Sequence, residues 1–452
     1  MVTAVRPRPS QPREYRFPRF TEEVLANGLR LVVAPVKKLP LVTILVVVDA
    51  GSTIDPPGKE GLAALTADAL LEGTREFDGA QLTERFEQLG TAVESGADWD
   101  SAFIKLTVLA DHLDEAASLL GEAIASPAFP EREIERLKAE RLAEILQLET
   151  EPRGLADEKF TEFVYAANSR YAKSDAGTAQ SVAALSRSDV QSFFRGQYRS
   201  DSMTIVMAGA ITPVMARDLV AKAFGRWASG AAERRALVAS PRAATRTVNI
   251  VSKPDAPQSE LRVGHVGLPR KHPDFFPAMV MNAVLGGLFG SRINMNLREE
   301  HGYTYGASSY FDWRRGPGPF VVATAVQSEV TAAALREIFS EIDRIRTDRI
   351  TDEELSLACD YLDGVFPIRY ETTTAIASAL ANLVIYALSD DYYDTYRKRV
   401  REVTLDDVLR AARAHLHPGK MQTVIVGDAT AIKDSVAQLD LGELRVYAAQ
   451  DD

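Results

Sequence analysis

The stretch Gly61-Leu-Ala-Ala-Leu-Thr-Ala-Asp-Ala-Leu-Leu-Glu-Gly-Thr74 decides how this chain is read. Ala63, Ala64, Ala67, Leu70 and Leu71 recur near helical period, so the spacing predicts a helix with one apolar stripe. Taken alone, the segment is an ordinary alanine-rich helix. Its meaning depends on the chain around it.

Working outward, the chain is written twice. Leu185-Ser-Arg-Ser-Asp-Val190 resembles Val403-Thr-Leu-Asp-Asp-Val408. At one constant separation Asp189 pairs with Asp407, Met203 with Met421, Val206 with Val424 and Gly209 with Gly427. Each copy reads as a helix, a short turn and an apolar strand ending at Gly, the strands covering 203–208 and 421–426. Two further pairs, 67–73 with 281–287 and 103–113 with 320–330, repeat at nearly the same offset, Thr107 matching Thr324. Three matches in order argue for a duplicated domain of roughly 215 residues, near the upper end of usual domain size.

The joint is expected over 229–246, a small, polar, aperiodic stretch. This predicts an N-terminal domain over 16–230 and a C-terminal domain over 246–446. Strands are expected at 23–33, 41–48, 247–251 and 259–267, with helices such as 131–148 and 332–347 between them. Mixed blocks with strands recurring late predict an α+β fold rather than a doubly wound sheet.

The bulk numbers exclude several classes. A chain of 452 residues is too long for one core. Its 52 basic and 63 acidic residues give a formal net charge of −11, which argues against a nucleic-acid partner and is compatible with cationic peptides. The single cysteine, Cys359, permits no internal disulfide and reads as a buried structural thiol. No window reads as a membrane span, and 41–48 is a buried strand. The Pro- and Arg-rich start shows no signal-peptide core, so the expected location is the cytoplasm, or the periplasm if a signal was removed. The six histidines form no evident cluster. His415-x-His417 could share a face only in a strand, and His112, His265, His272 and His301 are scattered.

With the duplication established, the opening stretch resembles the zinc helix of the pitrilysin, insulinase and mitochondrial processing peptidase family. There a Gly-Leu-Ala opening leads into His-x-x-Glu-His, whose histidines hold Zn²⁺ and whose Glu is the general base. Here those positions are Ala64, Ala67 and Asp68. The segment from Phe129-Pro-Glu-Arg to Leu142-Ala-Glu-Ile resembles the helix bearing the third ligand, which aligns with Glu144. The resemblance covers nearly the whole chain and implies two homologous metallopeptidase-like α/β sandwich domains, with no metal or cofactor held by this chain. Asp68 and Glu144 leave open a weak site for a hard cation such as Mg²⁺ or Ca²⁺.

In the second half, Asn296-Leu-Arg-Glu-Glu-His-Gly-Tyr-Thr-Tyr-Gly306 carries Arg298 and Tyr305 at the spacing of the family's Arg/Tyr pair. The resemblance implies that this pair binds substrate and the tetrahedral intermediate. A guanidinium can clamp a carbonyl or carboxylate, and a phenol can donate to an oxyanion. Leu285-Gly-Gly-Leu-Phe-Gly-Ser-Arg292 lacks the Gly-Lys-Ser/Thr ending of a phosphate loop. By resemblance, Gly286, Gly287 and Gly290 instead form a glycine-rich wall beside the substrate. A sheet edge near 97–105, including Ala97, Asp98 and Trp99, is the implied place of peptide strand addition.

The implied function is the non-hydrolysing subunit of a heterodimeric zinc peptidase. Its partner would carry His-x-x-Glu-His and the zinc. The alternatives are a stand-alone peptide-binding or structural core subunit, and an enzyme of other chemistry using Asp68 and Glu144.

Overall fold

A computed structural model describes residues 14–225, 227, 229–230, 237 and 239–448. Positions 231–236 and 238 of the expected joint lie outside the described residues. The first half contains β1 (Thr21–Val24), β2 (Arg30–Pro35), β3 (Leu41–Val48), β4 (Glu94–Ala97), β5 (Ala102–Leu109) and β6 (Met203–Gly209). The second contains β7 (Thr247–Ser252), β8 (Gln258–Val266), β9 (Ala307–Phe311), β10 (Pro319–Gln327), β11 (Gln422–Gly427) and β12 (Glu443–Ala448).

Each set forms one six-stranded sheet, ordered β1-β2-β6-β3-β5-β4 and β12-β7-β11-β8-β10-β9. The duplication is therefore visible strand by strand. β2 pairs parallel with β6, as β7 does with β11, and the next three pairings are antiparallel in both sheets. Only the outer strand differs: β1 runs antiparallel to β2, whereas β12 runs parallel to β7. The fold is α+β, and the matched segments 203–208 and 421–426 lie in the equivalent strands β6 and β11.

The expected strand over 23–33 is two strands. Asn27-Gly28 breaks it, with Gly28 at φ +87°, a left-handed conformation that glycine adopts without a Cβ penalty. By contrast β3 spans 41–48 as expected, and every residue after Leu41 is buried. A strand reads as continuously apolar when both faces are covered. One face of the first sheet packs on its own helices through Ile44, Val46 and Val48. The other face, through Leu45, Val47, Val206 and Ala208, packs on helix Thr373–Ile385 of the second half.

The reciprocal contact also exists. Helix Pro152–Val164 of the first half lies on β8 and β11, where Leu155, Phe160 and Phe163 meet Val321, Val424 and Val426. The two halves thus exchange one helix each. A fully buried Leu or Phe contributes about 1.5–3 kcal/mol, so each exchanged helix ties the halves together firmly.

One helical run, Phe275–Glu300, is 26 residues long and apolar enough by composition to cross a membrane, which the sequence reading did not register. Its residues Phe275, Val280, Met281, Ile293 and Leu297 lie in the main hydrophobic core, so its apolarity is that of a core helix. Cys359 is buried, donates to the Val400 carbonyl and is pushed up to about 11, chiefly by burial, as a structural thiol should be.

Candidate functional site

The opening stretch forms helix Leu62–Ala69, enclosed almost all round. Its N-terminus is fixed by Asp55, whose carboxylate accepts from the Gly61 and Ala63 N–H groups at 2.8 Å each and pairs with Arg170 at 3.0 Å. Satisfying the orphan donors of the first turn in this way stabilises a short helix. Burial nonetheless pushes the Asp55 carboxyl up to about 6, against the downward pull of Arg170.

Ala64 and Ala67 are buried and offer no donor atom. Asp68 does reach Glu144, but through an intermediary. Arg141, on helix Glu131–Thr150, donates to Asp68 Oδ2 at 2.9 Å and lies 3.1 Å from Glu144 Oε2. Burial raises the Asp68 carboxyl, Arg141 lowers it, and the Glu144 and Glu72 carboxylates raise it further. Zinc sites use imidazole, thiolate and carboxylate donors. Here two positions are methyl groups and the two carboxylates already hold a guanidinium, so the residues present do not fit zinc. The same bridge fills the space left open for a hard cation. Arg141, which brings the site its cation, was not singled out in the sequence because it sits in a helix dense with Arg and Glu.

The implied peptide edge is redrawn by the register. Ala97 ends β4, the outermost strand. Asp98 and Trp99 belong to the following turn, where Asp98 Oδ1 accepts from the Asp100 and Ser101 N–H groups at 2.8 and 2.7 Å. Residues 102–105 lie in β5 and pair on both sides, Lys105 with Leu45 and with Glu94, so they cannot add a strand. The free edge is β4 itself. Trp99 is a packing residue: its ring meets Tyr171 edge-on at 5.0 Å, with the Arg314 guanidinium 4.2 Å from its centre. It also lines a cavity of about 280 Å³ shared with Arg141 and Glu144.

The second half presents the opposite situation. Gly286, Gly287, Phe289, Arg298 and Tyr305 line one cleft of about 590 Å³, to which Arg153 comes from the exchanged helix. The run from Phe275 widens into π-type turns at Ala283–Gly287 and again at Met295–Glu300, which carries Arg298. Such widened turns re-aim side chains and recur at functional sites. The Arg298 guanidinium lies 4.6 Å from the centre of the Phe289 ring and 3.2 Å from Glu299, with its side chain 39 % exposed. Tyr305 is 94 % exposed and Phe289 65 %.

The glycines act differently from one another. A Cβ on Gly286 would lie 2.4 Å from Ser309 Oγ, so its absence lets the turn press against β9, where Asn282 Nδ2 donates to the Ser309 carbonyl at 2.9 Å. Gly290 has room, its nearest neighbour being Leu357 Cδ2 at 3.7 Å, and it does not line the cleft.

Four of the six histidines pair in space. His272 meets His415 at 5.0 Å between ring centres, and His265 meets His417 at 5.2 Å. Asp274 joins the first pair through His415 Nε2 at 2.7 Å. The sequence held one signal, His272-x-Asp274, but its partner lies on a helix far along the chain. His265 is buried and is held down to about 4, chiefly by burial.

The family model described as insulinase, peptidase family M16, matches residues 31–176, and that of the peptidase M16 inactive domain matches 184–362. The chain is similar to an uncharacterized zinc protease, YmxG, of Bacillus subtilis, at 23 % identity over 77 % of this chain and 84 % of that protein. It is similar also to the non-peptidase homolog YmxG of Helicobacter pylori, at 23 % identity over 86 % and 90 %. A solved structure of a peptidase M16 inactive domain from Pseudomonas fluorescens matches with a TM-score of 0.85 and 25 % identity, over 90 % of this chain and 98 % of that one. Two models of one family, in order along both halves and together over more than half of the sequence, place this chain in the M16, or insulinase, family of peptidases.

Proposed function

We propose that this chain is the non-hydrolysing member of a two-chain M16 peptidase, and that it lends Arg298 and Tyr305 to a homologous partner carrying His-x-x-Glu-His. The observation that carries this reading is the contrast between its two sites. In the first half the carboxylates that could meet a metal are tied together by Arg141. In the second half an arginine and an almost fully exposed tyrosine stand at an open cleft. The names of two of the three relatives, a non-peptidase homolog and an inactive domain, support a chain that does not hydrolyse by itself, while the third is named a zinc protease.

The chemistry assigned to this chain is binding and charge stabilisation. The Arg298 guanidinium presents donors suited to a peptide carbonyl or carboxylate. The Tyr305 phenol donates to the oxygen on which negative charge develops, an interaction stronger in the transition state than in the ground state. The partner supplies its own zinc and base. Substrates are peptides or unfolded segments, and the free edge of β4 offers main-chain groups for a strand.

The test is reconstitution. This chain should cleave no peptide alone, and mixing it with the cognate His-x-x-Glu-His chain should raise peptidase activity well above either chain by itself, with a heterodimer on size-exclusion chromatography. A partner fully active alone and unchanged on mixing would overturn the proposal and leave a stand-alone binding or scaffold role.

A further inference from the structure

We propose that His272, Asp274 and His415 form a binding site for a zinc-type divalent ion in the second half, and that Arg410 holds the ligand carboxylate when no ion is bound. The site shares no residue with the cleft of Arg298 and Tyr305 and does not depend on the function proposed above.

The fold brings the three residues together from two elements. His272 and Asp274 precede helix Phe275–Asn282, and His415 ends helix Leu405–His415, which packs against it. One potential ligand atom from each residue lies within 4.8 Å of the others. Zinc bonds of about 2.0–2.1 Å would set tetrahedral donors roughly 3.3 Å apart, a contraction that side-chain rotation can supply. The His415 and Asp274 side chains are 11 % and 19 % exposed, so the group is sheltered but reachable.

The candidate ligands are held in place by hydrogen bonds that an ion would replace. His272 Nδ1 accepts from the Asp274 backbone N–H at 3.1 Å, so the neutral ring carries its proton on Nε2, and a bound ion would take the place of that proton or of that hydrogen bond. His415 Nε2 donates to Asp274 Oδ2 at 2.7 Å, so metal binding here would release the Nε2 proton. Two imidazoles and one carboxylate suit Zn²⁺, Co²⁺ or Ni²⁺, whereas Mg²⁺ and Ca²⁺ require an oxygen-rich shell.

One competitor is present. Arg410 Nη1 donates to the same Asp274 oxygen at 2.8 Å. Its side chain is half exposed and has a second acid within reach, Asp407 at 3.5 Å, so it can yield the carboxylate without losing every partner. The guanidinium and the ion therefore compete for Asp274 Oδ2. Bound metal would pin the segment before helix Phe275–Asn282 to the end of helix Leu405–His415.

The test titrates the full-length, tag-free chain with Zn²⁺ by calorimetry, with Mg²⁺ as control and the melting temperature of each variant as a folding check. One Zn²⁺ per chain is expected, with a roughly micromolar Kd, together with no Mg²⁺ binding. His272→Gln and His415→Gln should each weaken it by about tenfold or more. Arg410→Gln, which removes the competitor and no ligand, should tighten it severalfold, and His417→Gln should leave it unchanged. Absence of saturable Zn²⁺ binding, or binding that survives both ligand substitutions in folded protein, would overturn the site. Unchanged or weaker binding in Arg410→Gln would overturn the role of Arg410.

Discussion

The two halves of this chain share a sheet order, yet their polar groups are disposed in opposite ways. Around helix Leu62–Ala69, Asp68, Arg141 and Glu144 satisfy one another. In the second half, Arg298 and Tyr305 line an open cleft, Arg298 beside the exposed Glu299 and Tyr305 almost fully exposed. A charge already paired within the fold has little left for a ligand, because binding would first have to break the internal contact. A phenol held in solvent gives up only water. The difference teaches where to look for chemistry in a duplicated peptidase fold: at the cleft where a side chain such as Tyr305 stands open to solvent.

The largest effect should come from cutting the internal bridge. Arg141→Met leaves Asp68 and Glu144 together without a cation. Breaking a buried pair costs roughly 3–5 kcal/mol, but this one is partly exposed, so about 1–3 kcal/mol is expected by denaturant unfolding. Adding Asp68→Asn should recover a good part of the loss. If Arg141→Met is as stable as the native chain, the first half is not locked in the way described.

The glycine wall offers a sharper comparison within the second half. Gly286→Ala places a methyl group against Ser309 and should cost about 1–3 kcal/mol by forcing β9 and the turn apart. Gly290→Ala meets only Leu357 and should change stability by less than about 0.5 kcal/mol. Equal effects would break the distinction between a packing glycine and a permissive one.

Stability against pH separates two buried carboxyls of the first half from Asp274 of the second by sign. Burial raises Asp100, like Asp55, to about 6, although Asp100 Oδ2 accepts from the Arg315 N–H at 2.8 Å across the two halves. A carboxyl whose folded pKa exceeds its unfolded value of about 3.9 is favourable while protonated, so its contribution is lost as pH rises through about 6. Asp274 behaves oppositely. Arg410 first, and then His415, hold it down to about 2 against the upward effect of burial, and its contribution is lost as pH falls from about 4 toward 2. Asp100→Asn should therefore gain about 1 kcal/mol relative to the native chain at pH 8 and flatten the loss between about pH 4 and 6, as urea midpoints across pH would show. An unchanged pH profile would mean that Asp100 is not strained by its burial.

Much of the fold was legible in the sequence where burial is complete. β3 could be read over its full length because both faces are apolar, and β6 and β11 because each ends at a matched glycine. The break at Asn27-Gly28 was missed inside an otherwise apolar run. The exchange of helices Pro152–Val164 and Thr373–Ile385 carries no local signal, since periodicity tells that a face is buried but not which sheet buries it. The candidate site divides in the same way. Gly286, Gly287, Arg298 and Tyr305, close in sequence, were found together in space. Arg141, in a helix of many charges, and His272 with His415, on elements distant in sequence, could be joined to their sites only by the tertiary fold.

The central claim is that the exposed pair acts in trans. The direct measurement is steady-state kinetics of the reconstituted pair with Tyr305→Phe in this chain, each sample checked by size-exclusion chromatography. Removing one oxyanion donor typically costs about 10²–10³ in kcat, so a loss of at least roughly tenfold is predicted, with assembly and the partner's zinc content unchanged. Arg298→Ala should in addition raise KM, because a charge-assisted contact to substrate is lost. Native kcat and KM for Tyr305→Phe in an intact heterodimer would contradict the account.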